Sequence, residues 1–401
     1  MVMIKRESYL NLLREVKDTN LIKVITGLRG SGKSTLLSQF RNELELNKEK
    51  VIFYNLEEKE NELFLKDADA LYNQIMSEVD ENRKNYIFID EVQLVPDFER
   101  MLDSLYVKSY TDIYVTGSNA YMLSSDIATL LTGRSIKIEM QPLSFSEFLQ
   151  FFDPSNNKQD LFQKYLLYGG LPEVANLLTK GAESTVSIYL KGVYETILEK
   201  DVKMRKNIRN MDDFKRVYAY CLDNIGNITS PNNIANVLNS NHHSIDHKTI
   251  DDYLRSLTDC YLLCSVKRYD IRGKDILRTG EKYYSIDMGL VSSLLGRGSV
   301  ENYGHRLENI VYLELKKRYH DVWIGKNYNK EIDFVVRNHD GEMEYYQVSQ
   351  SIADLPTRER ELSALKNTGD YYKKTVLTLD IAETSEKGIV CRNLLAWLEE
   401  K

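Results

Sequence analysis

This 401-residue chain lacks three things, and each lack removes a class of function. No apolar run approaches the ~18 residues needed to cross a bilayer, and MVMIKRESYLNLLREV at the start reads as an amphipathic helix without the apolar centre of a signal peptide. No membrane role is therefore expected, and a cytoplasmic location is. Paired cysteine spacing is missing too: Cys221, Cys260, Cys264 and Cys391 contain no C-x-x-C, and Cys260 and Cys264 lie one helical turn apart beside no histidine. That argues against zinc and for reduced, partly buried thiols. The third lack is a basic excess. A formal net charge of −7 does not suit a chain that coats nucleic acid non-specifically, although it leaves room for a local basic patch. No internal repeat or low-complexity tract is visible. What remains, 42% hydrophobic and 28% charged residues, is the balance of a globular protein, long enough for two or three domains.

Residues 24–37 read VITGLRGSGKSTLL, an apolar run that enters a glycine loop and leaves through Lys-Ser-Thr into a helix-like stretch. The spacing fits G-x-x-x-x-G-K-[ST], with Gly27, Gly32, Lys33 and Ser34 in place. Such a loop wraps backbone N–H groups around a polyphosphate, and side chains at the close-approach positions would obstruct it. The expected contacts are Gly27, Leu28, Arg29, Gly30, Ser31, Gly32, Lys33, Ser34 and Thr35. Lys33 would reach the β- and γ-phosphates, and Ser34 would offer its hydroxyl to Mg²⁺. The helix from about Thr35 would aim its positive end at the anion. A glycine-rich turn without a ligand is the plainer alternative; a strand before and a helix after weigh against it.

A second element is then required, a hydrophobic strand ending in acid, and YIFIDEVQ supplies it at 86–93. Asp90 would hold Mg²⁺ through water, and Glu91 would polarise the attacking water as general base. A third strand, DIYVTGSNAYM, ends in Thr116, Gly117, Ser118 and Asn119. Asn119 is a candidate to touch the γ-phosphate or the lytic water; an ordinary strand-end turn is the alternative.

Four segments follow from the patterning, with an α/β fold overall. Residues 1–140 alternate strands (LIKVIT, VIFYNLE, YIFID, DIYVTG, SIKIEM) with helices, which implies a P-loop parallel sheet with its ligand at the carboxyl ends of the strands. Residues 141–207, from MQPLSFSEFLQFF, read as a helical lid containing the corner YGGLPEVA. That corner is either a helix break or the place where Pro172 packs on a base. Residues 208–295 order as helix–helix–helix–hairpin, a winged helix. Its hairpin segment, VKRYDIRGKDILRTGEK at 266–282, carries six Lys or Arg against three acids and could touch DNA phosphates; a structural or regulatory module is the alternative. Residues 296–401 read helix–strand–strand–strand–helix–strand, a small restriction-endonuclease-like α/β domain. Such cores gather acids around Mg²⁺ with a lysine positioning the nucleophilic water. Glu308 and Asp333 stand where two acids belong, but Glu-x-Lys is replaced by Gln347-Val-Ser349, so little or no cleavage is expected. Glu308 and Asp333 as mere ends of surface elements is the other reading.

GLRGSGKSTLL, FIDEVQ, VTGSNAYML, LTGR before PLSFSEF, YGGLP, KYYSIDMGL, RLENIVYLEL, KEIDFVV and YYQVSQS before TRERE together span essentially the whole chain. In that combination the chain resembles prokaryotic AAA-type ATPases carrying a C-terminal domain of unknown function, similar in shape to PD-(D/E)XK nucleases. The resemblance implies ATP and Mg²⁺ as cofactors; no guanine-specific N-K-x-D motif is present, in agreement. It further implies that Arg134 in LTGR contacts the γ-phosphate, in cis or from a neighbouring subunit. It also implies that Pro172 contacts adenine, as in related signal-transducing ATPases. The phosphate loop departs from the family at Gly30, where a second Arg is common, and QVS departs from the nuclease pattern. The leading expectation is an ATP-hydrolysing molecular switch. An ATP-gated nuclease, or a DNA- or protein-binding adaptor with structural ATP, are the alternatives. DNA, a protein partner and oligomerisation all stay open.

Overall fold

The computed structural model describes residues 3–118, 133–203, 208, 210–240, 245–277, 280–296 and 303–400. The chain divides into two compact units: Met1–Pro142 with Asp259–Tyr261, and Leu143–Thr258 with Leu262–Lys401.

The first unit is built on five strands, β1 (Ile22–Thr26), β2 (Lys50–Asn55), β3 (Asn85–Asp90), β4 (Thr111–Gly117) and β5 (Ser135–Glu139). They are all parallel, in the order β2-β3-β4-β1-β5. Every residue of β1, β3 and β4 is buried, as expected for parallel strands covered on both faces. Helices α1 (Glu7–Glu15) and α2 (Lys33–Leu46) cover one face, where Leu10, Leu13, Leu37 and Phe40 pack with Ile25, Phe88 and Tyr114. On the other face, α3 (Ala68–Glu78) and α4 (Phe98–Tyr106) bring Leu71, Ile75, Leu102 and Leu105 against Val24, Ile87, Ile89 and Val115. All five expected strands form.

The second unit begins with helices Phe145–Leu149, Lys158–Tyr168, Pro172–Thr179 and Glu183–Thr196. Helices Met211–Asp223, Pro231–Asn239 and His247–Asp259 follow, beside a three-stranded sheet of β6 (Ile228–Thr229), β10 (Glu281–Ser285) and β7 (Leu263–Val266). Between β7 and β10 lie β8 (Arg268–Asp270) and β9 (Asp275–Ile276). The C-terminal segment supplies helix Tyr303–Arg318, β11 (Asp321–Asn327), β12 (Lys330–Arg337), β13 (Met343–Val348), helix Leu355–Lys366 and β14 (Lys373–Thr378) in the expected order. It then adds β15 (Thr384–Glu386), β16 (Ile389–Asn393) and helix Leu394–Glu399.

The connection between β7 and β10 is not a free hairpin turn. β8 pairs in parallel with β11, and with β9 it forms one edge of an eight-stranded sheet, β15-β16-β14-β13-β12-β11-β8-β9. The basic segment 266–282 is therefore partly consumed by structure. Residues 143–258 and 262–401, drawn from all three of the expected segments after 140, accordingly share one unit.

The YGGLP corner also acquires a cause. Asp287 is buried; its carboxylate accepts from Gly289 N at 2.9 Å and Leu290 N at 3.3 Å, capping helix Met288–Leu295, and from Gly170 N at 2.7 Å. A Cβ on Gly170 would run into the carbonyl oxygen of Leu143, and one on Gly289 into that of Tyr168. A Cβ on Gly169 would strike the Asp287 carboxylate itself, so Gly169 and Gly289 let the chain after helix Lys158–Tyr168 press against the start of Met288–Leu295.

All four cysteines are buried and unbridged. Among the described residues no helix is long and apolar enough to cross a membrane, and no cluster of three metal-ligating side chains is present.

Gly289→Ala is expected to cost roughly 2–3 kcal/mol by overpacking against the Tyr168 carbonyl. Gly192→Ala, in helix Glu183–Thr196 with open space at its Cβ, should stabilise by about 0.5–1 kcal/mol. Urea unfolding of the two variants checks the contrast.

Candidate functional site

The site grows from the carboxyl ends of the parallel strands. β1 stops at Thr26, and Gly27 follows with φ 146°, its backbone so close to Met140 that any Cβ would meet the Met140 carbonyl oxygen. Gly30 and Gly32 also take positive φ, and Gly32 opens α2. The α2 N-terminus receives no side-chain cap and holds no acid in its first turn, so its partial positive charge is left for a ligand. The Lys33 ammonium is buried over the loop and donates to the carbonyls of Gly27 at 3.0 Å and Leu28 at 3.2 Å. Among the described residues Ser31 Oγ is buried without a hydrogen-bond partner. A loop emptied of side chains, an uncapped helix end and an ammonium held by the loop's own carbonyls fit a polyphosphate.

The acids arrive through the strand order. β4 lies between β1 and β3, its Gly117 in register with Thr26 and its Val115 with Ile89. Thr116 is thereby placed between the glycine loop and the acid strand. Its hydroxyl donates to Asp90 Oδ1 and accepts from Glu91 N at 2.9 Å. Burial pushes the Asp90 carboxyl above its ordinary value, against hydrogen bonds from Thr116 and Ser34 and the charge of Lys33. Ser34 and Asp90 thus stand together as a hydroxyl and a carboxylate, the donor set that holds Mg²⁺ beside phosphates.

Glu91 sits at φ 57° and ψ 45°, a left-handed conformation that costs a side-chain-bearing residue roughly 1–2 kcal/mol. The bond from its N–H to Thr116 helps hold it there, and Gln93 Nε2 donates to its carboxylate. Arg29 pairs with Glu57 at 3.3 Å and reaches Ser118 Oγ at 3.5 Å, joining the loop to the ends of β2 and β4. Neither Gln93 nor the double role of Thr116 was readable from sequence, because each depends on which strand lies beside which. Asn119 lies outside the described residues.

Arg134 stands at the wrong end of the sheet for its own phosphate loop. Its carbonyl accepts from Ile22 N at 2.8 Å, and the next residue, Ser135, is in register with Ile22, whereas Thr26 pairs with Glu139. Arg134 is therefore a strand length, roughly 13 Å, from the carboxyl ends. Its guanidinium is ion-paired with Asp103 and lies 5.4 Å from the Tyr106 ring centre. The cis alternative does not fit this placement. Pro172 opens helix Pro172–Thr179 in the second unit.

The second unit brings together the C-terminal candidates and one residue the sequence did not single out. Glu308, on helix Tyr303–Arg318, accepts from Lys282 Nζ at 2.9 Å and Tyr284 OH at 2.6 Å, both on β10. Asp333 Oδ2 accepts from Val348 N at 2.8 Å. Gln347 Oε1 accepts from Asp333 N at 3.3 Å, and its amide donates to Glu361 at 2.9 Å. The Gln347 side chain is thus engaged within the fold, and Ser349 Oγ donates to the Ser351 carbonyl at 3.0 Å. Of the basic hairpin, Lys282 is buried in ion pairs, Arg272 donates to Asn367 O at 2.6 Å, and Lys267 and Lys274 are exposed.

An uncharacterized protein of Haemophilus influenzae is 37% identical over 404 residues, covering 99% of this chain and 98% of its own length. The chain belongs to that protein's family. Residues 19–149 match the family model of an AAA domain, and residues 159–301 match a domain of unknown function, DUF8612. This chain thus joins an AAA-type P-loop domain to a second domain of unknown function. An uncharacterized protein of Methanocaldococcus jannaschii is 29% identical over 392 residues, 92% of this chain and 83% of its own. Among solved structures, a Walker-type ATPase of Pyrococcus abyssi superposes with a TM-score of 0.52 at 15% identity, over 73% of this chain and 96% of that one, which shows a shared fold. The AAA match and the loop geometry together support nucleotide binding at this loop.

Lys33→Ala is expected to abolish ATP binding in a calorimetric titration, since the loop loses its ammonium. Thr116→Val should leave ATP affinity within a few-fold while lowering turnover by roughly 10–100-fold, because Asp90 and Glu91 lose their shared anchor; steady-state phosphate release measures it.

Proposed function

We propose that this protein is a cytoplasmic ATP-driven molecular switch that hydrolyses ATP slowly and couples its nucleotide state to the second unit. The observation that carries the reading is the Thr116 hydroxyl, which engages both Asp90 and Glu91 beside the uncapped start of α2. In this reading Lys33 binds the β- and γ-phosphates, and Ser34 with Asp90 holds Mg²⁺, which supplies positive charge to the phosphate oxygens. Glu91 orients the attacking water and takes its proton. Its left-handed backbone fixes where that carboxylate can swing. Arg134 contributes only from a neighbouring copy, since its own loop lies a strand length away. That accounts for slow turnover in an isolated chain and makes oligomerisation a trigger. Pro172 is assigned to the adenine, on the resemblance of GGLP.

The second unit is read as a winged-helix and nuclease-like binding module that does not cut. Gln347 and Ser349 are bonded within the fold and offer no lysine. DNA is the first partner to test, through Lys267 and Lys274, which stay exposed in the basic segment; a protein partner comes second.

Glu91→Gln should keep ATP binding and lose hydrolysis by about 10²-fold or more, since an amide accepts no proton. Phosphate release from Mg²⁺-ATP, with and without duplex DNA, tests the switch. Unchanged release in Glu91→Gln would remove Glu91 as the base. Stimulation by intact DNA would support a DNA-responsive switch.

A further inference from the structure

We propose that Lys282 is the resident cation of the acidic centre formed by Glu308, Glu331 and Asp333, and that its ammonium closes this centre to divalent metal ions. The centre and the lysine come from distant stretches of chain. Lys282 lies on β10, 26 residues before Glu308, and outside the three-strand pattern that a nuclease-like core uses for its lysine. Its side chain is 3% exposed, and its Nζ stands 2.9 Å from Glu308 Oε1 and 2.6 Å from Glu331 Oε1.

The lysine is built in. Two rungs clamp β10 to the helix that carries Glu308: Ser285 N donates to Asn309 Oδ1 at 2.8 Å, and Asn309 Nδ2 donates to Ser285 O at 2.8 Å. Tyr284 OH donates to the same Glu308 oxygen that Lys282 holds. On the far side of that carboxylate, the Gly226 backbone passes so close that a Cβ there would lie 3.0 Å from Glu308 Oε2. Asp333 Oδ2 accepts from Val348 N and Gln347 Oε1 accepts from Asp333 N, which fixes both side chains in place.

The electrostatics agree with a filled site. Burial pushes Glu308 up, but the charge of Lys282 and hydrogen bonds from His305, Tyr284 and Lys282 more than reverse it, so Glu308 is held ionised. Burial and then the neighbouring Glu308 push the Asp333 carboxyl well above its ordinary value, against the charge of Lys282 and a backbone hydrogen bond from Val348. Burial lowers Lys282, yet Glu308, Asp333 and Glu331 raise it further, so it stays charged. One ammonium thus answers one buried carboxylate and one half-exposed one. A divalent ion on Glu308 would have to stand beside that ammonium, which already lies against Glu308 and Glu331. The residues present do not fit a metal.

This inference rests on no property of the nucleotide site, and its test uses nucleotide-free full-length protein. Mn²⁺ is titrated by calorimetry and by thermal unfolding into the wild type, Lys282→Met, and Lys282→Met with Glu308→Gln. Methionine keeps the volume of the buried stem. The expected result is no Glu308-dependent Mn²⁺ binding in the wild type. Lys282→Met should bind one Mn²⁺ with a melting-temperature rise of several degrees at millimolar metal, and that rise should vanish when Glu308→Gln is added. If Lys282→Met folds only with Mn²⁺ present, the inference is equally supported. A wild-type Mn²⁺ site lost in Glu308→Gln would overturn it. So would metal-dependent cutting of duplex DNA by the wild type that Lys282→Met abolishes, which would make Lys282 a catalytic lysine. A folded Lys282→Met that takes up no metal would overturn it as well.

Discussion

Parallel strands buried on both faces can carry polar chemistry only at their ends, and the first unit follows from that constraint. Five parallel strands, the central three of them buried throughout, share one carboxyl edge, where the glycine loop, Asp90, Glu91 and Thr116 all stand. Because β4 is inserted between β1 and β3, a threonine at its end reaches both acids of β3 at once. The same constraint removes Arg134 from its own loop, since a residue just before β5 must lie at the amino edge. Placement of one strand thus decides which groups can cooperate at the carboxyl edge and which cannot.

In the second unit a single short stretch, residues 281–290, fixes two otherwise unrelated places. Lys282 and Tyr284 reach Glu308, and Asp287 three residues later caps its own helix while holding Gly170. Neither motif explains itself in isolation. YGGLP looks like a helix break until Asp287 is seen to demand the missing side chains, and KYYSID looks like an ordinary strand until its lysine is found among carboxylates. Buried charges of this kind are tolerated only when fully paired, which is why the partners come with the fold rather than with the local sequence.

Much of the chain was legible from pattern alone. Apolar-rich stretches between helical ones marked all five strands of the first unit, and helix–strand–strand–strand–helix–strand marked the C-terminal segment before β15 and β16 extended it. The error lay at the basic stretch 266–282. Its turn residues and charges suit a solvent-exposed hairpin, but β8 finds an open edge beside β11 and becomes sheet. No local signal announces a parallel pairing with a strand more than fifty residues onward, because that energy comes from the partner's backbone.

The phosphate loop lay wholly within sequence reach because its chemistry is local: glycines at fixed spacing free the backbone N–H groups, and the next lysine and serine follow on one helix turn. The pairing of Thr116 with Asp90 and Glu91, the exclusion of Arg134 from its own loop and the capture of Glu308 by Lys282 lay beyond it. Each joins residues whose separation along the chain says nothing of their distance in space, and only the order and register of strands brings them within hydrogen-bonding range or keeps them apart.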